Sequence, residues 1–357
     1  MNKISCKNEK GFSLIELMVS ILLFAIVTAV IFGMLQIGRI DRNRASRRSD
    51  MLKNARTAIH LIGRDVLNAG MSYHRRGAIV PDNFISTRLG TPIDADNERD
   101  ILTSVIVGND VFVNNLNEDT NVRTDLISFA YRDLTFNSGN TVSLTNVSST
   151  GTSPEIANLA GQASSARAFD LYLIESDSSQ VAAMATNVPN ANQIDIAPTD
   201  PLGINQPFNG SGVNGSLLKK CTPAIVENCT TYLASAKKFT WVAYKVKEDG
   251  TLVRMIFGNN TGRPSAEQIQ EQPLAYNIQN IQFKYVLEDG TAVDNPTIGA
   301  DGIVGTLDDD ALNANQIRQI TVTIQVLAPE EDEQTKKPAV ITLNATFSVR
   351  NLEYDAG

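Results

Sequence analysis

One carboxylate lies inside the longest apolar run of the sequence. The run extends from Phe12 to Leu35, and Glu16 is its single charged residue. A carboxylate inside an apolar helix is costly unless it has a partner, so it indicates a functional group by default. Its partner is expected to be a cation, because opposite charges attract strongly where the dielectric is low. Glu16 is therefore the first candidate site residue.

A second group of candidate site residues belongs to an acidic, glycine-containing stretch near residue 300. Calcium binds six to eight oxygens from carboxylates and carbonyls on a backbone that turns sharply. The spacing differs from that of an EF-hand and resembles the acidic loops of secreted calcium-binding proteins. The alternative is a solvated acidic turn, since Asp and Gly favour turns without a metal. The candidate calcium ligands are Asp294, Asn295, Asp301, Asp308, Asp309 and Asp310.

Catalytic chemistry finds little support. The chain has two histidines, His60 and His74, and neither belongs to a recognisable catalytic or metal-binding set. A nucleophile needs a positioned base, and a catalytic zinc needs three protein ligands. No glycine motif for phosphate binding follows a predicted strand. We therefore expect a protein that is not an enzyme, with calcium as the one cofactor under consideration.

The element that carries Glu16 is long enough to cross a bilayer as one helix. It follows a basic leader that contains Lys3, Lys7 and Lys10. An ordinary secretory signal has a shorter apolar core with a small-residue cleavage site after it, whereas here Gly11 precedes the run. A plain signal anchor has no use for Glu16.

The segment from Gly11 to Glu16, with the apolar residues after it, closely resembles the N-terminus of type IV prepilins and type II secretion pseudopilins. The resemblance implies that a prepilin peptidase cleaves between Gly11 and Phe12 and that Phe12 is then N-methylated. It also implies that Glu16 interacts with the N-terminal amine of a neighbouring subunit during assembly. The same resemblance implies an inner-membrane protein with a cytoplasmic N-terminus and a periplasmic head.

A periplasmic head would place the cysteines that follow the leader in an oxidising compartment. Cys6 lies in the leader, and the two others are Cys221 and Cys229. These two are close in sequence and are expected to be bridged in an oxidising periplasm. The alternative is a pair of free buried thiols.

The chain is acidic overall but carries a group of arginines after the apolar run. The 357-residue chain has a formal net charge of −8, which argues against direct nucleic-acid binding by its bulk. Arginines after the apolar run favour a cytoplasmic location for that side by the usual count. The cleavage motif takes precedence, so these arginines face anionic headgroups or acidic grooves on neighbouring subunits. They are Arg39, Arg42, Arg44, Arg47 and Arg48.

The helix is predicted to continue beyond the membrane. Apolar residues recur at spacings of three and four, which places them on one stripe of a helix. Arg64 and Asp65 fall off that stripe, and Gly70 predicts the end of the helix. The segment 63–73 resembles the helix end of PilW-type minor pilins and J-type pseudopilins, and 346–351 resembles the close of PilW-type proteins. The stripe consists of Leu52, Ala55, Ile59, Ile62, Val66 and Ala69.

The rest of the sequence predicts β-strands with polar connections. Matching turn sequences at 248–251 and 288–291 each follow a predicted strand. Two stretches rich in Ser, Thr, Asn, Gly and Pro, 133–167 and 187–216, are predicted as loops or weakly ordered insertions. The predicted strands are 100–107, 124–131, 168–175, 180–188, 239–247, 252–257, 278–287, 317–327 and 340–350.

These elements predict an α+β fold, with a long N-terminal helix packed on a mainly antiparallel β-sheet head. The predicted domains are a leader at 1–11, a transmembrane and assembly half of the helix at 12–36 and an amphipathic half at 37–70. A periplasmic head follows at 71–357, with insertions near 133–167 and 187–216.

The resemblance implies a structural minor pilin of the PilW type that helps to initiate or cap a type IV pilus, with roles in adhesion, twitching motility or DNA uptake. Its implied partners are the prepilin peptidase, other minor pilins, the major pilin, the inner-membrane assembly platform and a tip adhesin. After assembly it would lie in the fibre, at the tip. The alternatives are a J-type pseudopilin of type II secretion and an adhesin or binding module anchored through the prepilin pathway.

Overall fold

The computed structural model describes residues 13–93, 99–117, 121–148, 155–159, 165–176, 179–190, 192–205, 234–296, 311–331 and 336–352. The chain divides into two compact units, Met1–Leu52 and Lys53–Gly357. Helix α1, Leu14–Asn68, contributes residues to both units. The other elements belong to the second unit, which we call the head.

Short helices accompany many strands in the head. The helices are α2 (Phe84–Leu89) and α3 (Ala311–Gln316), with 3-10 turns at Phe136–Gly139 and Ser265–Glu267. The first strands are β1 (Ala78–Ile79), β2 (Ile101–Leu102), β3 (Val105–Val113), β4 (Arg123–Arg132), β5 (Val142–Ser148), β6 (Glu155–Leu159), β7 (Leu171–Ser176), β8 (Ser179–Met184) and β9 (Asn187–Asn190). The later strands are β10 (Gln193–Ile196), β11 (Ala234–Val246), β12 (Leu252–Phe257), β13 (Ile269–Ala275), β14 (Ile278–Leu287), β15 (Ala292–Val293), β16 (Ile317–Glu331) and β17 (Pro338–Ser348).

The described strands form two sheets. Thirteen of them form one sheet with the path β2-β1-β8-β7-β11-β5-β6-β10-β9, to which β4 and β12 add beside β11, β3 beside β4, and β13 beside β12. The smaller sheet has the order β15-β14-β16-β17. Pairing is antiparallel except between β1 and β8. The predicted α+β class is therefore confirmed.

Strand β11 is the centre of the large sheet because it is long enough to pair with different neighbours along its length. Its C-terminal part pairs with β4 and β12, and its N-terminal part pairs with β5 and β7. The indole of Trp241 on β11 stacks on Phe257 of β12 with ring centroids 3.8 Å apart. Its Nε1–H donates to Ser128 Oγ at 2.6 Å, so the buried indole leaves no polar atom unsatisfied.

The part of α1 in the head buries an apolar face, as the predicted stripe requires. Ala55, Ile62 and Val66 are fully buried, and Ile59 is half-buried. Three buried residues in this part of α1 were not in the predicted stripe, namely Ala58, Gly63 and Asp65. The placement of Asp65 off the buried face is therefore wrong.

Two glycines allow the end of α1 to lie close to the rest of the head. A Cβ at Gly63 would overlap the ring of Phe347 on β17, so only glycine fits there. Gly70 follows the helix with φ +74°, and its N–H donates to Ala130 O at 3.0 Å. Gly70 ends the helix, as predicted, because glycine adopts the left-handed backbone conformation without steric cost.

The two matching turn sequences form equivalent hairpins. In each turn the glycine has a positive φ, 76° at Gly250 and 85° at Gly290. The aspartate before it accepts from the backbone N–H two residues later, at 2.9 Å in the first turn and 2.8 Å in the second. That hydrogen bond to an exposed carboxylate lowers the pKa of Asp249 and of Asp289. The predicted turns are therefore confirmed.

Polar composition misled the strand assignment in two places. The stretch predicted as loop at 133–167 contains β5 and β6, and that at 187–216 contains β9 and β10. These strands pair with one another, and β5 pairs with β11, so the sheet supplies backbone partners that the polar composition does not indicate. Strand β13 was also missed, because its sequence lacks alternating apolar residues. By contrast, β12 and β14 have the predicted bounds.

Side-chain hydrogen bonds join β14 to β4 and to the residue after β3, at positions of β14 before those that pair with β15. Asn114 Nδ2 donates to Ile278 O at 2.6 Å, and Gln282 Nε2 donates to Arg123 O at 2.9 Å. The carboxylate of Asp125 accepts from Phe283 N at 2.7 Å. The contacts to Ile278 O and Phe283 N satisfy backbone groups of β14, and all three join the two sheets through polar groups.

Asp125 gives this junction a dependence on pH. Burial raises the pKa of Asp125 to about 7, with smaller contributions from the carboxylates of Asp110 and Asp294, although the backbone N–H bonds of Asp110 and Phe283 lower it. The unfolded carboxyl has its ordinary pKa of 3.8. The folded state therefore holds a proton that the unfolded state releases between about pH 4 and pH 7.

We predict that the stabilising contribution of Asp125 falls as the pH rises from 4 to 7. The slope of the free energy of unfolding attributable to this group is at most about −1.4 kcal/mol per pH unit. Chemical denaturation of wild type and Asp125→Asn across this range measures it as a difference, because the amide does not titrate. A difference that stays constant over these three pH units would contradict the prediction.

Candidate assembly site

The N-terminal unit exposes a continuous apolar surface. An 18-residue window of α1 has a mean hydropathy of 2.7, and the helix is long and apolar enough to cross a membrane. Large apolar side chains from Leu14 to Ile37 are exposed in the single chain; Leu14 and Phe24, for example, are 75% and 73% exposed. Exposing so much contiguous apolar surface to water is unfavourable, so lipid or other apolar helices must cover it.

Glu16 lies in the first turn of α1, within this apolar surface. Its Oε2 accepts from the backbone N–H of Ser13 at 3.3 Å, and its side chain is exposed. A carboxylate at this end of the helix also complements the helix dipole. Among the described residues, this long hydrogen bond leaves most of the acceptor capacity of the carboxylate unused, so Glu16 can bind a cationic group brought by another molecule.

The arginines predicted to contact headgroups or neighbouring subunits lie further along α1. Arg39, Arg42 and Arg48 are exposed. Arg44 is half-buried, and its Nη1 lies 3.9 Å from Asp41 Oδ1. The side chain of Arg47 is outside the described part of the chain. Their binding role stays a prediction.

The other predicted site residues are covered in part. Asp294 and Asn295 follow β15 and are exposed, and Asp294 Oδ1 lies 3.8 Å from Lys284 Nζ. Across the described ranges, no group of three or more His, Cys, Asp or Glu side chains is placed to hold a metal ion. Calcium binding, the disulfide and the cleavage site stay predictions. The residues outside the described ranges are Gly11, Phe12, Cys221, Cys229, Asp301, Asp308, Asp309 and Asp310.

One carboxylate of α1 that the sequence patterns did not identify has several hydrogen-bond donors in the head. Asp65 is fully buried in the head. Its Oδ2 accepts from Tyr244 Oη at 2.6 Å and from Arg254 Nε at 2.8 Å, and its Oδ1 accepts from Tyr131 Oη at 3.2 Å. These three donors lie on the adjacent strands β4, β11 and β12. We call Asp65, Tyr131, Tyr244 and Arg254 the helix anchor.

The electrostatics of the helix anchor favour the ion pair. Burial lowers the pKa of Arg254, but the Asp65 carboxylate and the two tyrosines together outweigh burial and raise it above its usual range. Burial, followed by the Asp65 charge, raises the pKa of Tyr131 to about 12 and that of Tyr244 further. Both phenols therefore stay protonated and donate to the carboxylate. The anchor holds the end of α1 on the sheet.

Two features of the sequence indicate that Asp65 and Arg254 could form a buried pair. Asp65 lies three residues after Ile62 and four before Ala69, so a helical wheel places it at the border of the buried face. Arg254 interrupts the otherwise apolar strand sequence Leu252–Phe257. A buried charge requires a buried partner of opposite sign, which makes these two residues complementary candidates.

We predict that Asp65→Asn lowers the free energy of unfolding by about 3–5 kcal/mol, because the buried Arg254 charge loses its counter-ion. Tyr131→Phe removes one donor and is expected to cost about 1 kcal/mol. Arg64, whose exposed Nη2 lies 3.3 Å from Asp65 Oδ1, provides the control. Arg64→Ala should cost about 1 kcal/mol or less, since exposed ion pairs contribute little.

Chemical denaturation of the detergent-solubilised full chain measures all three variants. The anchor would be unimportant to stability if Asp65→Asn and Arg64→Ala had the same small effect.

The geometry thus defines a class of protein, namely a β-rich head that continues from a helix able to span a membrane. Residues 6–32 match the model of the prokaryotic N-terminal methylation motif. This match supports a type IV pilin-like or pseudopilin-like protein. It implies processing by a prepilin peptidase and a pilus or secretion-system context, and with the apolar helix it suits a single-pass inner-membrane protein.

The comparisons add little about the head. No curated protein matches the chain. Among solved structures, a DUF4785 family protein from Legionella pneumophila shares 10% identity, with 76% of this chain and 68% of that chain covered and a TM-score of 0.13. A likeness this low carries no argument about fold or function.

Proposed function

We propose that the protein is a minor pilin of the PilW type, a structural subunit that helps to initiate or cap a type IV pilus. The observation that carries the proposal is the exposed apolar surface of α1 with Glu16 in its first turn, inside the segment that matches the methylation motif. Such a surface suits storage in the membrane before assembly and packing against other helices after it.

The charge of Glu16 supplies the assembly mechanism. After cleavage, a neighbouring subunit presents the methylated amine of its Phe12 as a cation. Glu16 lies within an apolar surface, where an ion pair forms at low dielectric and water does not replace a missing partner. Pairing therefore fixes the axial register of two helices. The subunit has no catalytic role in this proposal, and its partners are other minor pilins, the major pilin, the assembly platform and a tip adhesin.

A pseudopilin of type II secretion is the second candidate, because the methylation motif is expected in both systems. An adhesin anchored through the prepilin pathway is a third. Co-purification of the head with other minor pilins supports the first candidate, whereas co-purification with secretion components supports the second. The processing step is common to all three.

We predict that the mature chain starts at Phe12 with a methylated amine. Mass spectrometry of the N-terminal peptide from membranes measures this. Gly11→Leu should leave the uncut precursor in the membrane, because the cleavage reaction requires a small residue there. Ser13→Ala, two residues away, is the matched control and should be processed normally. A mature chain that starts elsewhere would overturn the assignment.

We further predict that Glu16→Gln abolishes recruitment into the fibre while leaving cleavage and head stability unchanged. The amide keeps the size of the side chain but cannot neutralise the neighbouring amine. Ser20→Ala is a control one turn later, where the hydroxyl donates to the backbone Glu16 O at 2.8 Å. Co-purification of other minor pilins and counts of pili measure the effect.

Redundant contacts through the arginines are tested by adding Arg48→Glu to Glu16→Gln. Charge pairing is the wrong mechanism if Glu16→Gln alone and the double variant both assemble at the wild-type level.

A further inference from the structure

The basic residues of α1 are concentrated in the segment that follows its apolar surface. Residues 39–56 contain seven basic and two acidic residues, which gives a net charge of +5. Residues 57–357 contain 21 basic and 35 acidic residues, which gives a net charge of −14. A basic segment on an otherwise acidic chain attracts an anionic partner. Its position along the helix indicates which anion it meets first.

The start of this segment lies at the depth of lipid headgroups when the apolar surface spans a bilayer. The exposed apolar residues from Leu14 to Ile37 extend for about 35 Å, which matches a hydrocarbon core of about 30 Å with a moderate tilt. Headgroups occupy roughly the next 5–7 Å on each side. Arg39 lies about 3 Å past Ile37 and therefore within this layer, and Arg42, about 7.5 Å past Ile37, lies at its outer border.

The direction of helical side chains brings both arginines closer to the headgroups. Side chains on a helix lean toward its N-terminus, so those of Arg39 and Arg42 extend back toward the apolar surface. Arg44 is half-buried and lies 3.9 Å from Asp41, which partly neutralises it. Arg48 lies about 16 Å past the apolar surface, beyond direct contact with a headgroup. Arg39 and Arg42 are therefore the two arginines best placed for lipid.

Arg39 and Arg42 are also placed to share one anion. Residues three apart are neighbours on a helix, with Cβ atoms about 5–6 Å apart. Both side chains are exposed, and the ion pair described in this segment joins Asp41 to Arg44. Planar guanidinium groups bind phosphate oxygens in a bidentate geometry. A phosphate at this depth belongs to a phospholipid.

We propose that Arg39 and Arg42 bind the phosphate of an anionic phospholipid, in the leaflet at the C-terminal end of the apolar surface. A lipid without an ammonium group is preferred, because its phosphate charge is not neutralised within the same headgroup. The pair then holds α1 at a fixed depth before assembly. This inference rests on α1 spanning a membrane and not on the choice between a pilus and a secretion system, so the Glu16 experiments can fail without affecting it.

An acidic surface of another subunit is the alternative partner. A docked protein covers one side of a helix, whereas headgroups surround it on all sides. At 100° per residue, Arg48 lies about 180° from Arg39 around the helix, and Arg44 about 140°. Arginines thus occupy opposite sides of α1, which favours a layer of lipid over a single protein surface.

Lipid binding by the detergent-solubilised full chain tests the proposal. The chain is titrated with micelles that contain phosphatidylglycerol or phosphatidylcholine, and thermophoresis measures the two apparent dissociation constants. Wild type should prefer phosphatidylglycerol by about 20-fold or more, because each arginine at a membrane surface contributes about fivefold. The double variant Arg39→Gln/Arg42→Gln should lower this preference by about tenfold or more.

The double variant Lys53→Gln/Arg56→Gln is the matched control. It removes the same charge at the same spacing from exposed positions of the same helix. Lys53 lies about 21 Å past Arg39, which exceeds the Debye length of about 10 Å at 0.1 M salt. The control should therefore change the lipid preference by about twofold or less.

Three outcomes overturn the proposal. Wild type could bind the two lipids equally, or both double variants could lose the preference to the same extent, which would indicate a general effect of net charge. In the third outcome, Arg39→Gln/Arg42→Gln keeps the lipid preference but no longer co-purifies with other pilin-like subunits. The two arginines would then bind an acidic protein surface instead of lipid.

Discussion

The rest of the head depends on one carboxylate that crosses from a helix to a sheet. Asp65 accepts hydrogen bonds from three adjacent strands, with Tyr131 on β4, Tyr244 on β11 and Arg254 on β12. A buried charge is tolerated only when its hydrogen-bonding capacity is filled, so the rotation and the axial position of α1 are fixed together. Apolar packing alone would permit small shifts along the helix axis, whereas this set of donors does not.

The same turns of α1 also meet the smaller sheet. Gly63 lies against Phe347 of β17, and Gly70 lies against Leu352 after that strand. Between Gly63 and Asp65 the helix therefore contacts the smaller sheet through Gly63 and the large sheet through Asp65. Side chains such as Asp125 and Asn114 join the sheets elsewhere. The first helix and the last strand of the chain thus support one another, which gives the 63–73 and 346–351 resemblances a common structural setting.

Sequence patterns predicted the local elements better than their partners. Alternation and turn chemistry located β12, β14 and both hairpin turns, because these features depend on neighbouring residues. The strands at 142–148 and 155–159 were missed because their polar side chains resemble loop composition, although their backbone groups pair in the sheet. Asp65 was missed for a different reason. Helical periodicity assigns a charge to the outside, and the partners that reverse this assignment lie 66 to 189 residues away.

Two carboxylates on the same helix illustrate how environment separates stability from assembly. Asp65 finds its donors inside the chain, so its charge contributes to the fold of the head. Glu16 lies among exposed apolar side chains, and its described hydrogen bond is the long one from Ser13. In a bilayer, water does not supply the remaining donors, and a lone carboxylate there is expensive. In the proposed assembly, a cation from a neighbouring subunit removes that cost, so the carboxylate in the apolar segment favours association of subunits, whereas the satisfied one in the head favours folding.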